Sequence, residues 1–288
     1  MTDQTENLEA FYEGHRQRLC NHLAEQARLV DALIHALAAT RDDEVADVVV
    51  LMAQAIRSSV ESILKLTESL DLPIRDAFGI ARSVVEQAAN VTYIAVVGPE
   101  AARRAQMHAL QRGYRDLDRK LRIGDAEIRV SADRPALTPE RFPEIQEALD
   151  AFTKKNGTEI RDWTTVSLAR RIETISGKHR SAGLKLHAAY FAIYAHSSEI
   201  LHGSYFGSIF FWGGMGRTPQ SRDEFKYLAL TSHLITVFMA AYFSVHAMVD
   251  VLCENYRFSD LGETSSGHLQ SISDYLENDL ANVSPPPR

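Results

Sequence analysis

Apolar residues recur every three to four positions through most of this chain, and that spacing predicts helices almost from end to end. Leu8, Phe11, Leu19, Leu23, Val30, Leu33 and Leu37 mark a first helix over about 5–38. The polar break "TRDDE" follows, with Asp42 or Asp43 placed to cap a second helix carrying Val45, Val49, Met52, Ile56, Val60 and Ile63. "DLP" at 71–73 closes it, and Pro73 suits the first turn of a third helix that reaches about Val97 and stops at Gly98. Pro99 opens a fourth helix, expected to run to Gly124. Residues 125–137 read as a polar connector, and no strong strand pattern stands out anywhere. Thr138 and Pro139 then start a set of short helices, with "KKNG" and "ISG" as end signals. A long helix over about 180–204, a Gly-rich aromatic loop "GSIFFWGGMGRTPQS" and an apolar helix over about 221–256 complete the pattern.

The expectation is therefore an all-α bundle of about seven helices, with one long apolar central helix near the C-terminus. Residues 1–256 should form a single helical-bundle domain. Residues 257–288 should form a C-terminal extension with one more weak helix, partly disordered towards "SPPPR".

Composition changes this picture little. Of 288 residues, 45% are hydrophobic and 24% charged, values ordinary for a soluble globular protein. The net charge of −7 argues against a chain coated in nucleic acid, while leaving room for a local basic stripe. Two cysteines, Cys20 and Cys253, cannot build a disulfide framework, and the N-terminus is polar and acidic, so the chain reads as cytoplasmic. From Leu228 to Val249 there is no Asp, Glu, Lys or Arg, a length that reaches the ~20 residues of a membrane span. The segment carries Ser, Thr and two histidines and has no companion, which favours a buried core helix and no membrane.

Three helices carry candidate chemistry. The third is apolar or small on nearly every face except for Arg82, Glu86, Asn90 and Tyr93, which fall within about 80° of each other on a helical wheel. Arg82 and Glu86 are an i,i+4 pair, which reads either as a structural ion pair or as one wall of a pocket. In the helix over about 180–204, His187, Tyr194, Ser198 and the adjoining Tyr205 share one line, with His202 about 60° to one side. Glu199 and His202 have the Glu-x-x-His spacing of a metal ligand pair, but no second copy of the motif exists to complete a di-metal set. No metal and no cofactor are therefore expected, and an acid–base pair or hydrogen-bonded core residues are the remaining readings. The fourth helix sets Arg104, His108, Arg112, Arg115, Arg119 and Arg122 within about 80°, either a phosphate or nucleic-acid surface or a solvated face balanced by nearby acids.

Arg, then four to six residues, then His on one helix is the signature of HEPN-type helical ribonucleases. Arg16–His22, Arg28–His35, Arg103–His108 and Arg180–His187 all match it, and in Arg28–His35 and Arg180–His187 both side chains lie on one face. A closer resemblance is carried by "AFGIARSVVEQAANVTYIA" and "YFAIYAHSSEILHGS", which resemble the Arg-x-x-x-Glu helix and the Tyr, Ser, His-Gly helix of the domain of unknown function 5677 family. That resemblance spans roughly residues 45–250. It implies an all-helical bacterial protein of unestablished activity, and points to Arg82, Glu86, Tyr194, Ser197 or Ser198, His202 and Gly203. It also implies that the two polar helices meet.

Taken together, the expected site joins Arg82, Glu86 and His202 as the reactive groups with Asn90, Tyr93, Tyr194 and Ser198 as ligand-binding groups. The first functional expectation is binding of a small anion or nucleotide-like ligand in a regulatory or defence role. The second is a metal-independent ribonuclease acting on RNA, with His202 or His187 as the acid–base group and Arg82 or Arg180 stabilising phosphate charge. The third is a homodimeric scaffold, a homo-oligomer using "FFWGG" as an apolar patch.

Overall fold

The computed structural model describes residues 2–40, 43–131, 138–213, 218–280 and 283. They divide into two compact units, one made of residues 1–96 and 168–288, the other of residues 97–167. The larger unit contains α1 (Thr2–Ala38), α2 (Glu44–Leu66), α3 (Ile74–Val97), α6 (Leu168–Lys178), α7 (Arg180–Leu201), α8 (Tyr205–Phe211), α9 (Arg222–Leu228), α10 (Ile235–Tyr256) and α11 (Ser259–Asn278). A π-helical turn, Ala229–Leu234, joins α9 to α10 without a break. The smaller unit holds α4 (Pro99–Arg115), a hairpin of β1 (Asp118–Ile123) and β2 (Ala126–Ser131), and α5 (Pro143–Ala151).

The apolar helix is the centre of the larger unit. Val237, Phe238, Ala241, Tyr242, Val245, Met248 and Leu252 are all buried, because α1, α7 and α11 pack around α10. Residues 222–256 are long and apolar enough to cross a membrane, yet 72% of their apolar window is buried inside the protein. Each large side chain so enclosed contributes about 1.5–3 kcal/mol by leaving water. The all-α class and the apolar helix near the C-terminus thus stand as the hydrophobic pattern indicates.

Local signals account for several boundaries. Asp43 caps α2, its carboxylate accepting from the amides of Val45 and Ala46 at 2.9 and 3.0 Å. Asp42 lies outside the described residues. Gly98, at φ 93°, separates α3 from Pro99 at the start of α4.

Other boundaries differ from the sequence reading. The fourth helix ends at Arg115 rather than Gly124, and residues 118–131 form an antiparallel hairpin, so Arg119 and Arg122 sit on a strand. The reason is a switch to period-two alternation in "KLRI" and "EIRV" around the turn residues Gly124 and Asp125, with Gly124 at φ 59°. Leu121, Ile123, Ile128 and Val130 are each more than half exposed. The polar connector is thus half hairpin, and its residues 132–137 lie outside the described ones. Thr138 does not cap a helix; its carbonyl accepts from the amides of Arg141 and Phe142 in a turn, and α5 opens at Pro143. "ISG" falls inside the last turn of α6, which ends at Lys178.

The expected loop after α7 is partly helical. Ser204 accepts from the amide of Gly207 at 3.0 Å and so starts α8, which carries Phe210 and Phe211. α8 crosses α7 so closely that a Cβ on Gly207 would stand 2.5 Å from the carbonyl carbon of Glu199. α11 runs for 20 residues and buries Ser265, Ile272 and Tyr275; "SPPPR" lies outside the described residues.

Two predictions follow from this core. Gly207→Ala should lower stability by about 2 kcal/mol, read as a fall in Tm, because backbone cannot yield as a flexible side chain would. Burial, together with the Arg18 charge at His15, holds the imidazoles of His15 and His233 below their ordinary pKa. A lowered folded pKa means the unfolded chain takes up protons first, near pH 6.5. Their contribution is therefore intact above that pH and is lost as pH falls through the folded values. The urea midpoint should fall between pH 7.5 and pH 5.5, and a His15→Asn/His233→Gln variant should flatten that slope.

Candidate functional site

α3 and α7 meet and run in opposite directions. Arg75 of α3 donates to the carbonyl of Ile200 at 3.0 Å, Leu201 lies over Gly79, and Arg82 faces Tyr194. Arg82 is half-buried; its Nε donates to Glu86 at 3.1 Å, and its guanidinium carbon lies 4.1 Å from the centre of the Tyr194 ring. A second ring, Tyr190, stands 4.6 Å from Tyr194. Two turns further along α3, Asn90 accepts from Arg171 of α6. Tyr93 sits on the same side of α3, half-buried.

Burial works against the Arg82 charge, but the Glu86 carboxylate and Tyr194 outweigh it and lift the guanidinium above its ordinary pKa. Glu86 engages Nε and Tyr194 adds a second side-chain hydrogen bond, so the guanidinium is held in place while a planar fork of donors of the kind that pairs with anions faces the seam. The aromatic face beneath adds a cation–π attraction of about 1 kcal/mol at such a half-buried position.

The stretch "YAHSSEILHG" divides among separate tasks. Ser198 lies one turn beyond Tyr194, half-buried, and its carbonyl accepts the amide of His202 at 3.0 Å. His202 terminates α7 and is exposed, eight residues from Tyr194 and thus about 12 Å along the helix axis. Glu199 accepts from the Ser204 hydroxyl at 2.5 Å and so belongs to the cap of α8. His196 stacks flat on Phe210 at 4.1 Å, within an aromatic cluster that includes Phe78 and His233. His187 and Arg180 are both exposed.

In the smaller unit, the arginines of the basic stripe are occupied by their neighbours. Arg104 lies 4.8 Å over the Phe152 ring, Arg112 pairs with Glu159 at 3.1 Å, and Arg115 donates to Thr153 at 2.6 Å. Arg119 pairs with Asp116, and Arg122 with Glu127 at 3.2 Å. His108 bonds the carbonyl of Arg161 at 2.8 Å. The stripe ties α4 to the segment after α5, and the hairpin carries its last two members.

Sequence reasoning missed a further cluster inside the larger unit. Asp250 of α10 accepts from Lys185 of α7 at 2.6 Å, from the His246 ring at 2.9 Å and from Ser265 of α11 at 3.2 Å. Lys185 also lies 3.0 Å from His246, which is 1% exposed. Burial raises the Asp250 carboxyl, but its bonds to His246 and Lys185 overcome this and hold it below the usual carboxylate range. Asp250 also borders an open cleft of about 1030 Å³, beside Arg180, Cys253 and Arg257. Burial pushes the Cys253 thiol up to about 11, so it stays protonated and unreactive at neutral pH. The signal available was His246-x-x-x-Asp250, an i,i+4 pair at the end of a run otherwise free of charge.

The class defined here is an all-helical protein with a guanidinium–tyrosine seam on its surface and a Lys–His–Asp cluster in its core. The chain belongs to the family of unknown function DUF5677, whose profile matches residues 46–213, more than half of its length. No curated protein and no solved structure matches it. The family match begins in α2, takes in the whole smaller unit and ends just past α8, so it includes both arms of the Arg82–Tyr194 seam.

Replacing Asp250 with Asn leaves Lys185 and His246 without their shared counter-charge. Asp250→Asn should lower the unfolding free energy by about 2–3 kcal/mol in a urea titration at pH 7. Lys185→Met/Asp250→Leu should recover part of that loss, since a buried pair replaced by apolar groups leaves no uncompensated charge.

Proposed function

We infer that this chain is a binding protein whose α3–α7 seam takes a small anionic ligand of nucleotide-like character. The observation that carries this reading is the Arg82 side chain, half-buried, held at one nitrogen by Glu86 and laid over the Tyr194 ring. An arginine fixed in this way loses little conformational entropy on binding, and its planar donor group matches a phosphate or carboxylate. Tyr190 and Tyr194 add aromatic faces beside that charge, suited to a planar base. Asn90 and Arg171 extend the polar surface along the same side of α3. Ser198 and His202 stand further along α7 and would meet only the distal end of an extended ligand.

The test is direct. Adding inorganic phosphate, pyrophosphate or adenosine and guanosine nucleotides at millimolar concentration should raise the Tm for at least one of them. At a hundredfold excess over Kd the gain corresponds to about 2.7 kcal/mol. Arg82→Gln and Tyr194→Leu should each weaken that ligand at least about tenfold by calorimetry, the loss of one charge-assisted contact. Absence of any shift across the set, or full affinity in Arg82→Gln, would overturn the reading.

A further inference from the structure

Helix α7 has a second face that nothing among the described residues covers. Between residues 184 and 198 its exposed positions are Leu184, His187, Ala188, Phe191 and Ala195, and none is Asp, Glu, Lys or Arg. Phe191 is 87% exposed and Leu184 62%. A helix face left in water normally carries charge, and loss of charge with gain of aromatic residues is what distinguishes the centre of a protein interface. Leu184, Ala188, Phe191 and Ala195 fall within about 60° of one another, with steps of four, three and four residues. That is the seam spacing of a helix packed against another helix.

The order of large and small residues identifies the partner. Leu184 and Ala195 are equidistant from the midpoint of the stripe, and so are Ala188 and Phe191. When two copies of α7 are laid antiparallel about that midpoint, Leu184 faces Ala195 of the other copy and Phe191 faces its Ala188. Each large side chain meets a small one, four times over, and every contact recurs by symmetry. A two-fold interface requires this self-complementarity, whereas an unrelated partner would have no reason to impose it. Just beyond the C-terminal end of α7, Tyr205 (83% exposed) and Phe206 (53%) at the start of α8 add apolar surface. With Leu184 and Phe191 they offer roughly 500 Å² per copy, close to the apolar share of the ~800 Å² that one side of a standard interface buries.

We propose that the chain forms a two-fold homodimer in which α7 packs antiparallel on α7 of a second copy, with Phe191 seated over Ala188. The contact puts two Arg82–Tyr194 seams at the flanks of one helix pair, and does not depend on either seam binding a ligand. It replaces "FFWGG" as the association surface, because Phe210 and Phe211 of that stretch pack inward against His196 and His233.

Sedimentation of the full chain at about 50 µM, a concentration that populates micromolar association, should give twice the 32.2 kDa chain mass. Phe191→Glu should sediment as a monomer with unchanged helical circular dichroism. Phe191→Ala sets Ala against Ala, and Ala188→Phe sets Phe against Phe, so each should raise the dimer Kd at least about tenfold. The combination Ala188→Phe/Phe191→Ala restores a large residue opposite a small one and should return Kd to within about threefold of the parent. A monomeric parent, a Phe191→Glu variant that remains dimeric, or a combined variant weaker than both single ones would each overturn the proposal.

Discussion

The larger unit depends on one carboxylate. Asp250 is the first acid after an apolar run from Leu228 to Val249, and it gathers donors from three helices: Lys185 of α7, His246 of its own α10 and Ser265 of α11. Hydrophobic burial is non-directional and would accept several rotations of α10 between its neighbours. A partly buried charge has no such freedom, because leaving it unpaired costs several kcal/mol. Meeting all three donors at once fixes the rotation of α10 and, with it, which faces α7 and α11 turn inward.

Once Lys185 is committed to the core, the rest of α7 follows from helical geometry. Leu186, Ala189 and Ile193 are buried with it, Tyr194 turns towards α3 with Tyr190 beside it, and Leu184, Ala188, Phe191 and Ala195 are left facing solvent. One helix thus presents three distinct surfaces: a core side, an aromatic side beneath Arg82 and an apolar side without charge. The small residues make this possible, since Ala182 and Gly183 let α6 approach so closely that a Cβ on Gly183 would collide with Ser176.

The smaller unit uses its charge differently. The arginines of its basic stripe are paired at the surface with acids, bonded to Thr153 or laid over Phe152, and the hairpin beyond them is exposed on both strands. Exposed pairs of this kind contribute about 0–1 kcal/mol each, so they order local geometry more than they hold the unit together. A row of arginines at helical spacing looked like a phosphate-binding face only while the helix was taken to extend to Gly124. The chain turns at Arg115, and the last two arginines leave that face altogether.

Much of this was legible in the one-dimensional pattern. Helical periodicity, Asp43 as a cap, the Gly98–Pro99 boundary and the apolar character of residues 228–249 are local properties, set by residues within a few turns of each other, and a linear sequence displays them fully. The i,i+4 pairing of Arg82 with Glu86 is local in the same sense. What no spacing rule could supply is the set of contacts between separate elements: Arg82 over Tyr194, Lys185 on Asp250, His196 flat against Phe210, or Glu199 drawn off to cap α8 through Ser204. The hairpin was missed because four-residue alternation is a weak signal beside a long helical one. By itself the sequence determined the helices and their polar and apolar faces, because backbone hydrogen bonding and side-chain period are local. Only the tertiary structure decided which faces meet, because that choice is made by side chains on different helices competing for the same buried volume.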